Sequence, residues 1–154
     1  MIRRFRLENG HPARDVKVAA VKTGASGRYS AEELADWLGD PAMPEGWGAW
    51  LHGHISFVDE AAGKITGFMM LERSGYLNMA FALLEQIGRG VADALYAPIL
   101  AETQALALPR LLVLASRYAQ SFFARHGWRV DRMSTVTRDG IIFTEAHMVL
   151  DLTP

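Results

Sequence analysis

The sequence predicts an α/β (α+β) fold in which a mixed, mostly antiparallel central sheet of about seven strands is flanked by helices. Three observations predict it. Apolar residues alternate through the middle of the chain and again near its end, a glycine-rich turn leads from an almost wholly apolar strand into one long helical segment, and Gly and Pro punctuation keeps the strands short. The 154 residues fit one domain, 1–154, at the usual ~100–200 residues per domain.

Ile2, Phe5 and Leu7 read as a short opening strand, closed by Glu8-Asn9-Gly10-His11-Pro12. A helix is expected over Ala13–Thr23, broken at Gly24–Gly27. Ser30-Ala31-Glu32-Glu33 is a capping box for a second helix with Leu34, Trp37 and Leu38 on its apolar face. Asp40–Gly48 carries two prolines and two glycines and reads as a loop. Strands follow over Leu51–Asp59, Ile65–Glu72 and Tyr76–Leu84, joined by turns at Ala61–Lys64 and Ser74-Gly75, as an antiparallel meander. The third is apolar on both faces, which predicts a central position. Gly88-Arg89-Gly90 then opens a helix to about Ala107, with Val91, Leu95 and Ile99 on its buried face and Pro98 expected to kink it. Leu111–Ala115 reads as a buried strand, and Ala119, Phe122, Phe123 and His126 mark a short helix stopped by Gly127. Arg129–Thr137 and Ile141–Leu152 close the fold as a hairpin around Asp139-Gly140.

Composition narrows the function. Half of the residues are apolar and 21% are charged, which excludes a disordered or fibrous chain. Sixteen Lys+Arg against 17 Asp+Glu give a net charge of −1, so nucleic acid is not the expected partner, because neutralising phosphates needs a basic excess. With no cysteine, disulfides, zinc–thiolate sites and thiol nucleophiles are excluded. That suits a cytoplasmic location. The basic start Met1–Arg6 runs into Glu8, Asn9 and Gly10 instead of an apolar stretch, and no apolar run approaches the ~18 residues of a membrane span. Neither an export signal nor a membrane partner is therefore expected.

The informative junction is the apolar strand followed by Gln86-Ile87-Gly88-Arg89-Gly90-Val91-Ala92 and a helix. A glycine turn at a helix N-terminus leaves backbone N–H groups unpaired beside the positive end of the helix dipole, which suits a phosphate. The common alternative is a simple turn. Val91-Ala92 stands where a P-loop needs Lys-Ser or Lys-Thr, and the meander before it is not the parallel unit of a dinucleotide fold. The ligand this leaves is a phosphate carrier held by another fold.

Three segments carry a resemblance to a known family. Gly88-Arg89-Gly90-Val91-Ala92 is similar to an (Arg/Gln)-x-x-Gly-x-(Gly/Ala) pyrophosphate loop, with Gly90 and Ala92 in register. Leu77–Ala82 is similar to a strand whose main chain pairs with a pantetheine arm. Ala115–Trp128 looks like an Asn-x-x-Ala-x-x-x-Tyr-x-x-x-Gly-Phe helix. In this order and spacing, over nearly the whole chain, the sequence resembles the GNAT superfamily of acyl-CoA-dependent N-acetyltransferases. The resemblance implies acetyl-CoA as cosubstrate, no metal, direct transfer to an amine of a small molecule or peptide, and a homodimer through the last strands or the long helix. The residues it implies for the cofactor are Ala80, Phe81, Ala82, Ile87, Gly88, Arg89, Gly90, Val91, Ala92, Ser116 and Phe123. Three of the matches depart from the pattern: Ile87 stands at the Arg/Gln position, Ser116 at the Asn, and Phe123 at the tyrosine that would protonate the leaving thiolate. A phenyl ring has no proton to give.

An alkylamine with pKa near ~10 is mostly charged at neutral pH, so a carboxylate or histidine should take its proton. Glu72 is the candidate base, with a solvated strand-end charge as its alternative. His52 and His54 are expected on one strand face, as are Glu145 and His147 on the last strand; a metal role needs further ligands. Tyr118 or water could supply the missing acid. Trp47, Trp50, Tyr29 and Arg28 fall where the resemblance places the acceptor cleft, with core aromatics as the plainer reading. The rival function is a non-catalytic acyl-CoA-binding sensor or regulatory module, motivated by Phe123.

Overall fold

The structure is a computed structural model and describes residues 1–24, 30–32, 35, 43–117, 119–138 and 141–152. Its strands are β1 (Ile2–Arg4), β2 (Ile55–Ala61), β3 (Lys64–Leu71), β4 (Leu77–Ala82), β5 (Arg110–Ala115), β6 (Arg129–Arg138) and β7 (Ile141–Asp151). The helices of interest are α1 (Gly10–Ala19), α2 (Trp47–His52), α3 (Val91–Ala105) and α4 (Gln120–Arg125). The seven strands form two sheets, a four-stranded one in the order β1-β2-β3-β4 and a three-stranded one in the order β5-β7-β6. Every ladder is antiparallel among the described residues. One parallel bridge, Tyr76 to Leu112, joins the two sheets.

Alternation explains the layers. On β2 and β3, Ile55, Phe57, Met69 and Leu71 face one core with α3, α4 and β5, while Val58, Phe68 and Met70 face a second with α1 and α2. Both faces of these strands are buried, and each fully buried Phe, Met or Leu contributes ~1.5–3 kcal/mol. They are the central strands. β4, expected to be central, is instead the edge of its sheet and is mostly half-buried. Its apolar run is covered on one side by β3, and its other edge opens where β5 turns away. β5 likewise alternates, with Leu111, Val113 and Ala115 buried but Leu112 and Leu114 exposed, so only one of its faces is in the core.

The corner between the sheets requires glycine. Gly75 has φ +100°, and a Cβ there would lie 2.5 Å from the Arg110 carbonyl oxygen. That approach lets the Leu112 N–H donate to the Gly75 oxygen at 2.9 Å.

Three boundaries differ from expectation. The opening strand ends at Arg4, and Leu7, expected within it, begins a 3-10 turn, Leu7–Asn9. α1 begins at Gly10, so His11-Pro12 does not end an element but lies in the first helical turn, where proline's missing N–H costs nothing. Residues 47–52 form helix α2 and not the end of the Asp40–Gly48 loop and the start of the Leu51–Asp59 strand, because Trp47 and Leu51, four apart, bury one helical face in the α1 core. His52 and His54 therefore share no strand face; the His54 Nδ1 instead meets the Trp50 oxygen at 2.7 Å. α3 runs on through Pro98. Arg28, Tyr29, Glu33 of the capping box, the Leu34, Trp37 and Leu38 face, the Asp40 end of the expected loop, Tyr118 and the Asp139-Gly140 turn lie outside the described residues.

Candidate functional site

A cavity of about 730 Å³ opens beside the free edge of β4 and runs to the start of α3, with α4 as its far wall. Ala80, Phe81 and Ala82 line it from the strand, and Ile87, Gly88, Gly90, Val91 and Ala92 from the turn and first helical residues. Phe123 completes an apolar wall with Leu95 and Phe122. Nine of the eleven residues expected around the cofactor are thus brought together. Arg89 and Ser116 are not in the lining. Arg89 is exposed on the turn, and Ser116 serves α4 through its backbone oxygen, which accepts from the N–H of Ala119 and of Gln120. Met69, Gln86, Asp93, Ser121 and Arg125 also line the cavity and had escaped assignment. For Asp93 and Arg125 the signal was only proximity in sequence, Asp93 following Ala92 directly and Arg125 lying two residues after Phe123.

The turn presents unpaired donors to open space. Gly88 and Gly90 have φ +80° and +81°, and a Cβ at either would meet nothing within 4 Å. The space in front of them is open. The Arg89 N–H closes the turn on the Gln86 oxygen, and the first helical bond runs from the Ala94 N–H to the Gly90 oxygen. Among the described residues, the N–H groups of Gly88, Gly90, Val91, Ala92 and Asp93 have no backbone acceptor. They stand at the positive end of the 15-residue α3, whose cap residue Gly90 has no side chain to satisfy them. The Asp93 carboxylate would oppose an anion there, but the Arg125 guanidinium (3.0 Å) and the His126 ring (2.6 Å) hold it. The Arg125 hydrogen bond first, then that of His126, keeps its pKa below the ordinary carboxylate range.

Phe123 is 2% exposed and stacks among Phe122 and Trp128. It shapes the cavity and offers no proton. Nearby, the Trp128 indole N–H donates to the buried Tyr96 hydroxyl at 2.8 Å.

Beyond the end of β3, Glu72 is half-buried and outside the cavity lining; its Oε2 accepts from the Asn78 amide at 2.9 Å. Its backbone N–H donates to the Tyr76 oxygen at 2.8 Å, which puts the two residues opposite each other in the hairpin. Burial first, then the charges of Glu72 and Glu145, raise the Tyr76 phenol pKa above its ordinary value. Glu145 and His147 share a face of β7 as expected, and His147 Nε2 lies 2.7 Å from the Ser134 hydroxyl. Tyr76 was not singled out from the sequence, because only the bridge to Leu112 brings it to this point.

Trp47 is core: its indole donates to the Gly10 oxygen at 2.9 Å. Trp50 leans on it from the surface. The Lys17 ammonium lies 5.5 Å from the Trp47 ring and 5.9 Å from that of Phe81, its pKa lowered by burial and then by Arg14. No group of His, Asp or Glu placed to hold a metal occurs among the described residues, and no described helix is long and apolar enough to cross a membrane.

Residues 26–151 match the family model for the acetyltransferase (GNAT) domain. Among solved structures, a GCN5-related N-acetyltransferase from Rhodopseudomonas palustris is similar with TM-score 0.89 and 24% identity, over 99% of this chain and 95% of that one. The PaiA N-acetyltransferase from Thermoplasma acidophilum, in complex with coenzyme A, gives 0.75 and 15% over 98% of each chain. An acetyltransferase from Salmonella typhimurium with acetyl-CoA gives 0.71 and 14%, over 100% of this chain and 94% of that one. No curated protein matches in sequence. At these identities the structural likeness speaks for the fold, and the domain match over most of the chain decides the family: the protein belongs to the GNAT acetyltransferases.

Proposed function

We propose that the protein is an acetyl-CoA-dependent N-acetyltransferase, one domain over 1–154, that passes acetyl directly to a primary amine of a small molecule or peptide. The observation that carries this reading is the continuous cavity from the unpaired edge of β4 to the unpaired N–H groups of the glycine turn. An edge strand offers alternating N–H and C=O groups to an amide-bearing arm, and a helix N-terminus offers donors to a pyrophosphate. The residues present fit both. Ala80, Phe81 and Ala82 would hold the arm, and Gly88, Gly90, Val91 and Ala92 the pyrophosphate, with Arg89 adding charge from the turn. Ile87, Ser116 and Phe123 complete the expected set, Phe123 as apolar wall.

Bound acetyl-CoA supplies an activated thioester. A backbone N–H on the free edge of β4 polarises its carbonyl, an oxyanion-type contribution. Glu72, whose carboxylate accepts from Asn78, would take the proton of the amine in this reading. The reading also places the protein in the cytoplasm as a homodimer without metal, nucleic acid or membrane, in keeping with its balanced charge and lack of cysteine.

Phe123 favours a second reading, a non-catalytic acyl-CoA-binding sensor. Calorimetric titration with acetyl-CoA, CoA and dephospho-CoA, followed by assay of free CoA release with spermidine, tyramine, glutamate and an alanyl peptide, separates the two. Binding with acceptor-dependent release supports the enzyme, binding without release selects the sensor, and no binding to CoA overturns both.

A further inference from the structure

Two oppositely charged side chains line the cavity beside the glycine turn, Asp93 in the first turn of α3 and Arg125 at the end of α4. Asp93 Oδ1 accepts from the Arg125 guanidinium at 3.0 Å and lies 2.6 Å from His126 Nε2, so one carboxylate oxygen serves two partners. The two partners are not held alike. The His126 ring packs between those of Tyr96 (4.6 Å) and Phe122 (4.7 Å), and its side chain is 25% exposed. The Arg125 side chain is 60% exposed, with its guanidinium resting 5.4 Å from the centre of the Phe122 ring on the cavity wall. Arg125 can therefore leave Asp93 without stranding the carboxylate, because His126 remains on it.

The N–H of Asp93 is itself one of the unpaired donors at the turn, so an anion taken there lies beside the group that Arg125 already touches. We propose that Arg125 is a phosphate ligand that exchanges partners: in the free protein it pairs with Asp93, and in the complex it donates to a phosphate of coenzyme A while His126 keeps Asp93. The inference rests on the acetyl-CoA reading above. Relative strengths favour the exchange. An exposed Arg–carboxylate pair contributes little, whereas the guanidinium fork gives a phosphate two parallel charge-assisted bonds in a geometry that a point charge cannot match. Asp93 and the phosphate thus compete for one guanidinium, and the carboxylate sets the affinity below what the site could reach. In a transferase that must shed CoA at every turnover, a resident competitor ready to take Arg125 back favours product release.

Calorimetric titration of the wild type, Asp93→Asn, Arg125→Gln and the double variant with CoA and with dephospho-CoA tests the exchange, and a Tm for each variant checks its fold. Asp93→Asn should bind CoA about 5-fold more tightly than the wild type, because the guanidinium no longer has to leave a carboxylate and no like charge faces the phosphate. Adding Arg125→Gln to Asp93→Asn should then weaken CoA binding about 10-fold, a loss that separates the bond to phosphate from any service to Asp93. The same loss with dephospho-CoA supports the exchange and assigns Arg125 to the pyrophosphate; a loss with CoA alone supports it and assigns Arg125 to the 3′-phosphate. If Asp93→Asn binds CoA as the wild type does and the double variant binds it as Asp93→Asn does, Arg125 only neutralises Asp93. That result overturns the exchange and leaves the acetyl-CoA reading standing. Failure of the wild type to bind either ligand overturns the reading beneath it.

Discussion

Replacing Gly90 by Glu places a carboxylate at the mouth of the glycine turn, in space where a Cβ meets nothing within 4 Å. At ~6 Å from two pyrophosphate charges, the repulsion is ~1.4 kcal/mol at a dielectric of ~80 and ~5.5 kcal/mol at ~20. Gly90 is exposed, so the working value lies between these limits. The affinity for CoA should fall at least ~10-fold, since each ~1.4 kcal/mol is a factor of ten. Gly90 also has φ +81°, where any side chain is strained by ~1–2 kcal/mol. Gly90→Ala carries that strain without the charge. The strain is present in both the free and the bound protein and cancels from the dissociation constant, so the alanine variant should bind within about threefold of wild type. Calorimetry on the three proteins at low and high salt measures this, and high salt should narrow the gap because it screens the exposed charge. If both variants lose affinity equally, loop distortion is responsible. If Gly90→Glu binds CoA as wild type does, no phosphate lies at the turn and the reasoning is refuted.

Gly75→Ala forces a Cβ to 2.5 Å from the Arg110 oxygen at a φ of +100° and should destabilise the fold by ~2–4 kcal/mol, read as a drop in Tm. An unchanged Tm would mean that the corner between the sheets can shift freely. Trp128→Phe removes the donor that satisfies the buried Tyr96 hydroxyl and should cost ~2–4 kcal/mol in denaturant unfolding. The Asp93 pKa is depressed by Arg125 and His126, so its contribution to stability is present above the ordinary value of 3.8 and is lost as pH falls through the lower folded value. Asp93→Asn should therefore flatten the acid limb of Tm against pH below about 4, with little change in its slope at neutral pH.

Much of the site was legible because it is local. Gly88 and Gly90 before a helix need only neighbouring residues to create unpaired N–H groups, and an apolar strand just upstream is visible as a run. The Gly88–Ala92 and Ala115–Trp128 segments carry the family resemblance for the same reason, since each is a contiguous stretch. Boundaries failed where packing overrode local pattern. Trp47 reads as part of a loop and Leu51 as the start of a strand, and only the core under α1 makes them one face of a helix. β4 looks central because it is apolar, yet it is an edge, since no local signal says that β5 will turn away and leave a cavity beside it. Glu72 and Tyr76 are four residues apart, and their turn is readable from Ser74-Gly75. That Glu145, about 70 residues later, joins them depends on sheet pairing at long range.

The sequence by itself determined the alternation of strands and helices, the glycine turn ahead of a long helix and the phenyl ring at position 123, because each depends on residues within a few positions of one another. Only the tertiary structure decided that the seven strands divide into two sheets, that the opening between them is a cavity, and that Asp93 is neutralised by Arg125 and His126 across α3 and α4. The same long-range pairing bridges Tyr76 to Leu112 and brings it under the charge of Glu145 from β7. The physical reason is that strand pairing and helix docking join residues far apart in the chain, and their energies depend on which surfaces meet, a quantity no local window of sequence contains.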